Sequence, residues 1–287
     1  MSKVWLITGS SRGLGRALAV AALDAGHRVV ATARDPEGLG DLVARYGDLV
    51  RTVSLDVTDV ESARAAVRFA VDEFGSLDVV ANNAGYANSS PFEETPDDDF
   101  RAQIETNFFG VVNVTRAALP VLRAQRSGHI LQFSSVGGRV GGTPGLAAYQ
   151  SAKFAVEGLS EVLHNEVAPL GIKVTVIEPG GFRTDWGGTS MRIPPVGADY
   201  EDTVGRINTF RREVDGRQPG DPARAARIVT ELVDLADPPL RLLLGSDALE
   251  LTERASASRA AEAADWADVS RSTDFDAPEV ELAVRAY

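Results

Sequence analysis

The chain has 287 residues, 44% hydrophobic and 24% charged, which is ordinary for a soluble globular protein and enough for a substantial core. Its formal net charge of −12 repels phosphate backbones and argues against a nucleic-acid partner. The absence of cysteine removes disulfides, thiolate metal sites and cysteine nucleophiles at once, and fits a reducing compartment.

Met1 runs directly into the apolar stretch Val4-Trp5-Leu6-Ile7 with no basic leader. No apolar run approaches the ~18 residues of a membrane span. The expectation is therefore a cytoplasmic protein with no signal peptide and no membrane partner. His27, His129 and His164 lie far apart, show no metal-ligand spacing, and read as surface or element-boundary residues. No metal is expected.

In chain order, residues 4–8 read as a buried strand and 14–25 as a helix that Gly26 stops. A second strand spans 28–33, a short helix 39–46, and a third strand 49–55. Residues 61–74 are helical up to Gly75, and 77–81 form a fourth strand. The segment 97–126 is a long helix in which Pro120 predicts a kink or break. A fifth strand at 129–134, a helix at 147–167 and a sixth strand at 173–177 complete the alternation.

Strand–helix alternation of this kind predicts parallel strands joined by right-handed crossovers. The fold class is α/β, a doubly wound, Rossmann-like parallel sheet in a single domain. Residues 183–220 are rich in glycine, proline and polar residues and too long for an ordinary connection. They read as a substrate lid within a catalytic domain of residues 1–250. A helix at 221–235, a last strand at 240–244 and a surface helix at 248–266 follow. Residues 251–287 form a C-terminal helix and tail on the same domain, and 270–287 carry no pattern.

The first strand ends in Thr8-Gly9-Ser10-Ser11-Arg12-Gly13-Leu14-Gly15 and passes directly into a helix. Glycines there let the backbone turn sharply and approach a pyrophosphate, while the helix N-terminus offers unpaired N–H groups. The rival reading is a purely structural turn. At the end of the second strand, Ala33 stands where dinucleotide folds place an acid that bonds the ribose 2′-OH, and Arg34 follows it. Arg34 and Arg12 together suit a 2′-phosphate, so NADP(H) is expected ahead of NAD(H). Asp35 is the residue that could instead read the ribose, and both arginines could simply be solvated.

Tyr149 and Lys153 are four residues apart and share a helix face. A fixed ammonium favours phenolate, so Lys153 is expected to lower the phenol below its usual value of ~10 and make it a usable acid/base.

Together these motifs resemble the short-chain dehydrogenase/reductase family. The glycine loop has that family's Thr-Gly-x-x-x-Gly-x-Gly spacing, and Asn82-Asn83-Ala84-Gly85 follows the fourth strand. Asn107 lies in the next helix and Ser135 closes the fifth strand. Tyr149-Gln150-Ser151-Ala152-Lys153 and Pro179-Gly180 complete the order. The resemblance implies a catalytic set of Asn107, Ser135, Tyr149 and Lys153 acting on a carbonyl or secondary alcohol.

It also implies cofactor contacts from Gly9, Ser11, Arg12, Gly13, Leu14, Gly15 and Arg34. Further contacts would come from Asp56, Val57, Asn83, Ala84, Gly85, Pro179, Gly180, Phe182 and Thr184, besides Tyr149 and Lys153. Asp56 would bond the adenine amino group, or else cap the helix before Glu61. Asn107 would hold a helix bend and a water leading to Lys153. Ser135 lies one residue further from Tyr149 than the family's usual spacing, which leaves Ser134 as an alternative. The resemblance further implies a homodimer or homotetramer. The lid's apolar residues, Trp186, Met191, Ile193, Pro194, Pro195, Val196, Tyr200 and Phe210, suggest a bulky apolar substrate. A competing function is a nucleotide-sensing regulatory protein that kept the fold and lost catalysis.

Overall fold

The computed structural model describes residues 2–186 and 190–278, so the end of the patternless tail lies outside the described residues. Seven strands form one sheet: β1 (Val4–Ile7), β2 (Arg28–Ala33), β3 (Val50–Ser54), β4 (Val79–Asn82), β5 (Gly128–Phe133), β6 (Ile172–Pro179) and β7 (Arg241–Leu244). Their order is β3-β2-β1-β4-β5-β6-β7 and every pairing is parallel. This is the doubly wound arrangement that the alternation predicts.

The strands are apolar on both faces because helices cover both. Trp5 and Ile7 of β1, with Val29 and Ala31 of β2, join one core layer with residues of α1 (Gly13–Asp24) and α9 (Pro222–Leu232). Leu6 and Val30, one residue out of phase, join the other layer with α3 (Val60–Phe74) and α5 (Gly110–Gln125). The two-residue period of a strand thus feeds two separate cores. The helices α2 (Gly40–Tyr46), α4 (Asp97–Ile104), α6 (Val136–Arg139), α7 (Ala147–Val167), α8 (Arg206–Val214), α10 (Ser246–Asp265) and α11 (Ala267–Arg271) complete the elements discussed below.

Two expectations need correction. The long helix does not break at Pro120, which α5 accommodates in its interior. Its irregularity lies earlier, in a π-helical turn over Glu105–Phe109 between α4 and α5. His27 and His129 are buried rather than superficial. The ring of His129 hydrogen-bonds Thr175 Oγ1 at 2.9 Å, and burial pushes its pKa down to about 3. The segment 183–220, expected to act as a lid, contains among its described residues helices that its composition hid: a 3₁₀ turn at Ala198–Tyr200, a π turn at Glu201–Gly205, and α8. α10 runs through residue 250, where the sequence reading divides the chain.

Candidate active site

The sheet order reverses direction between β1 and β4, and the loops after these two strands face each other across the resulting crevice. Thr8 ties them together. Its hydroxyl accepts from the backbone N–H groups of Asn83 and Ala84, each at 2.9 Å, and Asn83 Nδ2 donates back to the carbonyls of Thr8 and Gly9 at 2.9 and 3.1 Å. Gly9 and Gly13 hold φ of 69° and 58°, a region that disfavours side chains. Gly15 sits so close to the Gly9 carbonyl and Asn83 Nδ2 that a Cβ there would overlap both.

The N-terminus of α1 has no side-chain cap and no acidic residue in its first turn. Its N–H groups and positive dipole therefore remain available to an anion, which is what a pyrophosphate cradle requires. These residues fit a dinucleotide.

A cavity of about 1090 Å³ opens from this loop towards the lid. It is lined by Gly9, Ser11, Arg12, Gly13, Leu14, Arg34, Asp56, Val57, Asn83, Ala84 and Gly85 at one end. Asn107, Ser135, Tyr149, Lys153, Pro179, Gly180, Phe182 and Thr184 line the rest. Of the site residues read from the sequence, only Gly15 lies off the wall, and its part is the loop packing just described. The sequence reading missed Tyr86, Glu105, Thr106, Phe133, Asp185, Arg211, Val214 and Gln218, all of which line the cavity. None belongs to a spaced motif, so only the folded chain could reveal them.

At the adenosine end, Ala33 and Arg34 line the cavity and Asp35 does not. Asp35 Oδ1 instead accepts from the backbone N–H of Glu37 at 3.0 Å, capping the 3₁₀ turn Pro36–Leu39. Asp56 is not the helix cap either. Asp59 caps α3 by accepting from Glu61 N at 2.9 Å, while Asp56 Oδ1 accepts from both the backbone and the hydroxyl of Thr58. Those bonds from Thr58, aided by Arg34, hold the Asp56 carboxyl below its ordinary range.

The opposite end of the cavity, where the expected catalytic residues lie, is built on α7 and the C-terminal tip of β5. Tyr149 and Lys153 are both buried, and Lys153 Nζ lies 5.7 Å from the Tyr149 ring centroid. Ser135 lines the cavity beside the Tyr149 phenol, and its Oγ accepts from Gly137 N at 3.1 Å. Ser134 donates instead to the Lys153 carbonyl at 3.5 Å, so Ser135 is the serine that faces the phenol.

One electrostatic expectation fails. Burial pushes Tyr149 up to about 12 against the pull of Ser135, rather than Lys153 drawing it down. The ammonium donates to the carbonyl of Phe133 at 2.7 Å, and burial lowers its own pKa to about 8. Between them the site holds a neutral phenol and a cation at neutral pH.

Asn107 sits fully buried in the π turn. Its Nδ2 donates to the carbonyls of Gln103 and Tyr86, each at 2.8 Å, and its Oδ1 accepts from Tyr86 N at 3.2 Å. A Cβ on Gly85 would lie 2.5 Å from that Oδ1 and 3.5 Å from Lys153 Nζ, so the glycine is what lets Asn107 approach the lysine. Trp186 packs tilted, at 56°, against Tyr149 with 5.2 Å between centroids, and Met191 and Ile193 pack into the same apolar cluster with Ala87 and Leu146. Phe210 is exposed and lies off the cavity wall.

The family model for short chain dehydrogenases matches residues 3–192. The chain is 51% identical over 271 residues to "Oxidoreductase BOA17" of Botryotinia fuckeliana, covering 94% of this chain and 98% of that protein. A crystal structure of a short-chain dehydrogenase from Streptomyces avermitilis superposes with a TM-score of 0.89 at 43% identity, covering 96% of this chain and 100% of that one. An alcohol dehydrogenase from the archaeon Thermococcus sibiricus, complexed with 5-hydroxy-NADP, gives a TM-score of 0.69 at 28% identity over 85% and 96% of the two chains. With the fold, the crevice and these likenesses in agreement, the chain belongs to the short-chain dehydrogenase family and is an oxidoreductase of that family.

Proposed function

We propose that the protein reduces a carbonyl to a secondary alcohol with NADPH, Tyr149 delivering the proton to the carbonyl oxygen. The observation that carries this reading is the grouping on one cavity wall of Tyr149 and Lys153, buried one turn apart on α7, with Ser135 at the tip of β5. Burial raises the phenol, so it is neutral at physiological pH, with Ser135 and the Lys153 cation beside it. A neutral phenol is an acid, which suits reduction, whereas oxidation needs the phenolate.

The nicotinamide supplies the hydride when bound. The chain's own residues do the rest. Ser135 orients the substrate oxygen, Lys153 holds the ribose side of the cofactor, and Asn107 supports the lysine through the bent helix. Thr184 lies opposite Gly13, with 3.6 Å between the Thr184 Cβ and the position a Gly13 Cβ would take, and can close the cofactor's carboxamide end.

NADP(H) is preferred over NAD(H) in this reading because Ala33 and Arg34 face the cavity while Asp35 is used as a cap. Residues 183–220 act as a lid whose Trp186, Met191 and Ile193 shape an apolar pocket over Tyr149. Exposed Phe109 beside α5, with Phe154 and Val162 on α7, gives these helices an apolar outer surface suited to a homodimer or homotetramer. Nothing observed favours the nucleotide-sensing alternative, which would be expected to have lost Tyr149 or Lys153.

The test is NADPH oxidation, followed by absorbance, across a panel of aryl and alkyl ketones. Turnover of bulky ketones that vanishes in Tyr149→Phe supports the reading. No turnover of any carbonyl compound with either nicotinamide cofactor would sink it.

A further inference from the structure

Arg211 is the feature of the cavity that hydride transfer does not use. It lies on α8 of the lid and lines the cavity, unlike its exposed neighbours Arg206 and Arg212. Among the described residues it has no carboxylate within ion-pair distance, whereas many other arginines here do. The carboxylates on the cavity wall, Asp56, Glu105 and Asp185, make no ion pair with it.

Its protein partners are all neutral. Nη1 donates to Ser89 Oγ at 2.7 Å and to Asn208 Oδ1 at 2.8 Å, and Nη2 donates to the Pro144 carbonyl at 3.4 Å. Burial with no compensating acid pulls its pKa down to about 10, which still leaves it charged at neutral pH.

A guanidinium has five N–H donors in a planar fork. Three acceptors account for three of them, leaving Nε–H and one Nη2–H without a protein acceptor among the described residues. Neither free donor is sealed from solvent, so an anion entering the cavity can take up both without displacing a protein contact. The planar pair matches a carboxylate bidentately. The protein's net charge of −12 makes such a local cation necessary if an anionic substrate is to stay in the cavity.

We propose that Arg211 is a specificity residue that binds the carboxylate of the substrate. The substrate class is then a ketone, or the corresponding alcohol, with an apolar body against Trp186 and a carboxylate at the end away from the reacting carbon. This rests on the carbonyl-reductase reading and narrows its substrate from any bulky ketone to a keto acid. Asn208 and Ser89 position the guanidinium, and Pro144 ties it to the loop that follows Ser135.

The experiment measures dissociation constants by calorimetry for benzoylpropionate, benzoylbutyrate and benzoylvalerate, each beside its methyl ester. The protein is held with NADP⁺, where a ketone cannot turn over. For at least one chain length the acid should bind about 10- to 100-fold more tightly than its ester, the range expected for a charge-assisted pair. That ratio should fall to near one in Arg211→Gln and be partly kept in Arg211→Lys.

Equal affinity for acid and ester across the series in the wild type overturns the proposal, as does failure of every compound to bind. A parallel loss of both acid and ester in Arg211→Gln, with the ratio unchanged, shows that Arg211 only clamps the lid and overturns it equally. If Arg211→Gln does not fold, the wild-type ratio and Arg211→Lys still decide. Reduction of the esters with NADPH is read separately. If the acids bind selectively but neither acids, esters nor any ketone of the wider panel turns over with either nicotinamide cofactor, the carbonyl-reductase reading fails and the anion site stands.

Discussion

Cofactor choice offers the sharpest perturbation, because it turns on two adjacent positions at the tip of β2. The double substitution Ala33→Asp with Arg34→Ser places an acid where the cavity wall now holds a methyl group, and removes a cation beside it. Arg34 and Arg12 make no ion pair with a carboxylate among the described residues, so each can bond a 2′-phosphate. A charge-assisted hydrogen bond contributes ~1.5–3 kcal/mol when shielded. Both arginines are exposed, so water screens them, and about 1–1.5 kcal/mol for Arg34 is the better figure.

A new carboxylate about 5 Å from a phosphate of charge near −2 adds roughly 1.5–2 kcal/mol of repulsion at a water-like dielectric. The sum, about 3 kcal/mol, is roughly a hundredfold in kcat/KM for NADPH. NADH should gain, because the carboxylate accepts from a free 2′-OH. Ala33 is buried, at 7% exposure, so some stability will be lost and the variant's melting temperature belongs in the experiment. The assay is kcat/KM for NADPH and NADH at low and high salt, in wild type and variant. A wild type that already prefers NADH, or a ratio that the substitution leaves in place, refutes the reasoning.

Tyr149→Phe should cut kcat by about a thousandfold or more with little change in NADPH affinity, since the phenol is assigned to proton transfer and lies under Trp186; equal kcat removes it from the mechanism. Gly85→Ala should cost about 1–3 kcal/mol, because its Cβ would meet an Asn107 amide already held by three hydrogen bonds. The check is thermal unfolding together with kcat, and a neutral result would show that Asn107 can move. Glu178, fully buried at the end of β6 beside Arg139 and Arg241, is pushed up to about 7 by burial and by Glu157. A carboxyl raised in the folded state binds more protons folded than unfolded between about 4.5 and 7, so its contribution to stability declines as pH rises through that window and then levels off. Glu178→Gln should therefore gain up to about 3 kcal/mol relative to wild type between about pH 5 and pH 8, read from denaturant midpoints; a constant difference would mean that Glu178 titrates normally.

The fold was legible because both signals behind it are local. Alternating apolar runs and helical faces need no tertiary knowledge, and residues 28–33 and 147–167 match β2 and α7 at both ends. The glycine loop and the Tyr149–Lys153 spacing were legible for the same reason. What escaped depends on the folded environment. The π turn is a one-residue slip of hydrogen bonding with no compositional mark beyond Asn107, whereas Pro120, the visible helix breaker, is absorbed inside α5. The glycines and prolines of the lid obscured α8, and with it Arg211, whose interest lies in the partners it lacks.

The sign of the tyrosine shift was misread for a related reason. Spacing places Lys153 on the same face as Tyr149, but spacing cannot say how deeply both are buried or where the ammonium points. Depth decides. Desolvation disfavours phenolate and ammonium alike, driving one pKa up to about 12 and the other down to about 8. Lys153 is engaged by the Phe133 carbonyl at 2.7 Å while its Nζ stays 5.7 Å from the Tyr149 ring centroid. The phenol is then neutral at neutral pH, the form that can donate a proton. A sheet tip that buries Tyr149 and Lys153 together thus sets the sign of both shifts, through packing around β5 and α7 rather than through any residue a motif would single out.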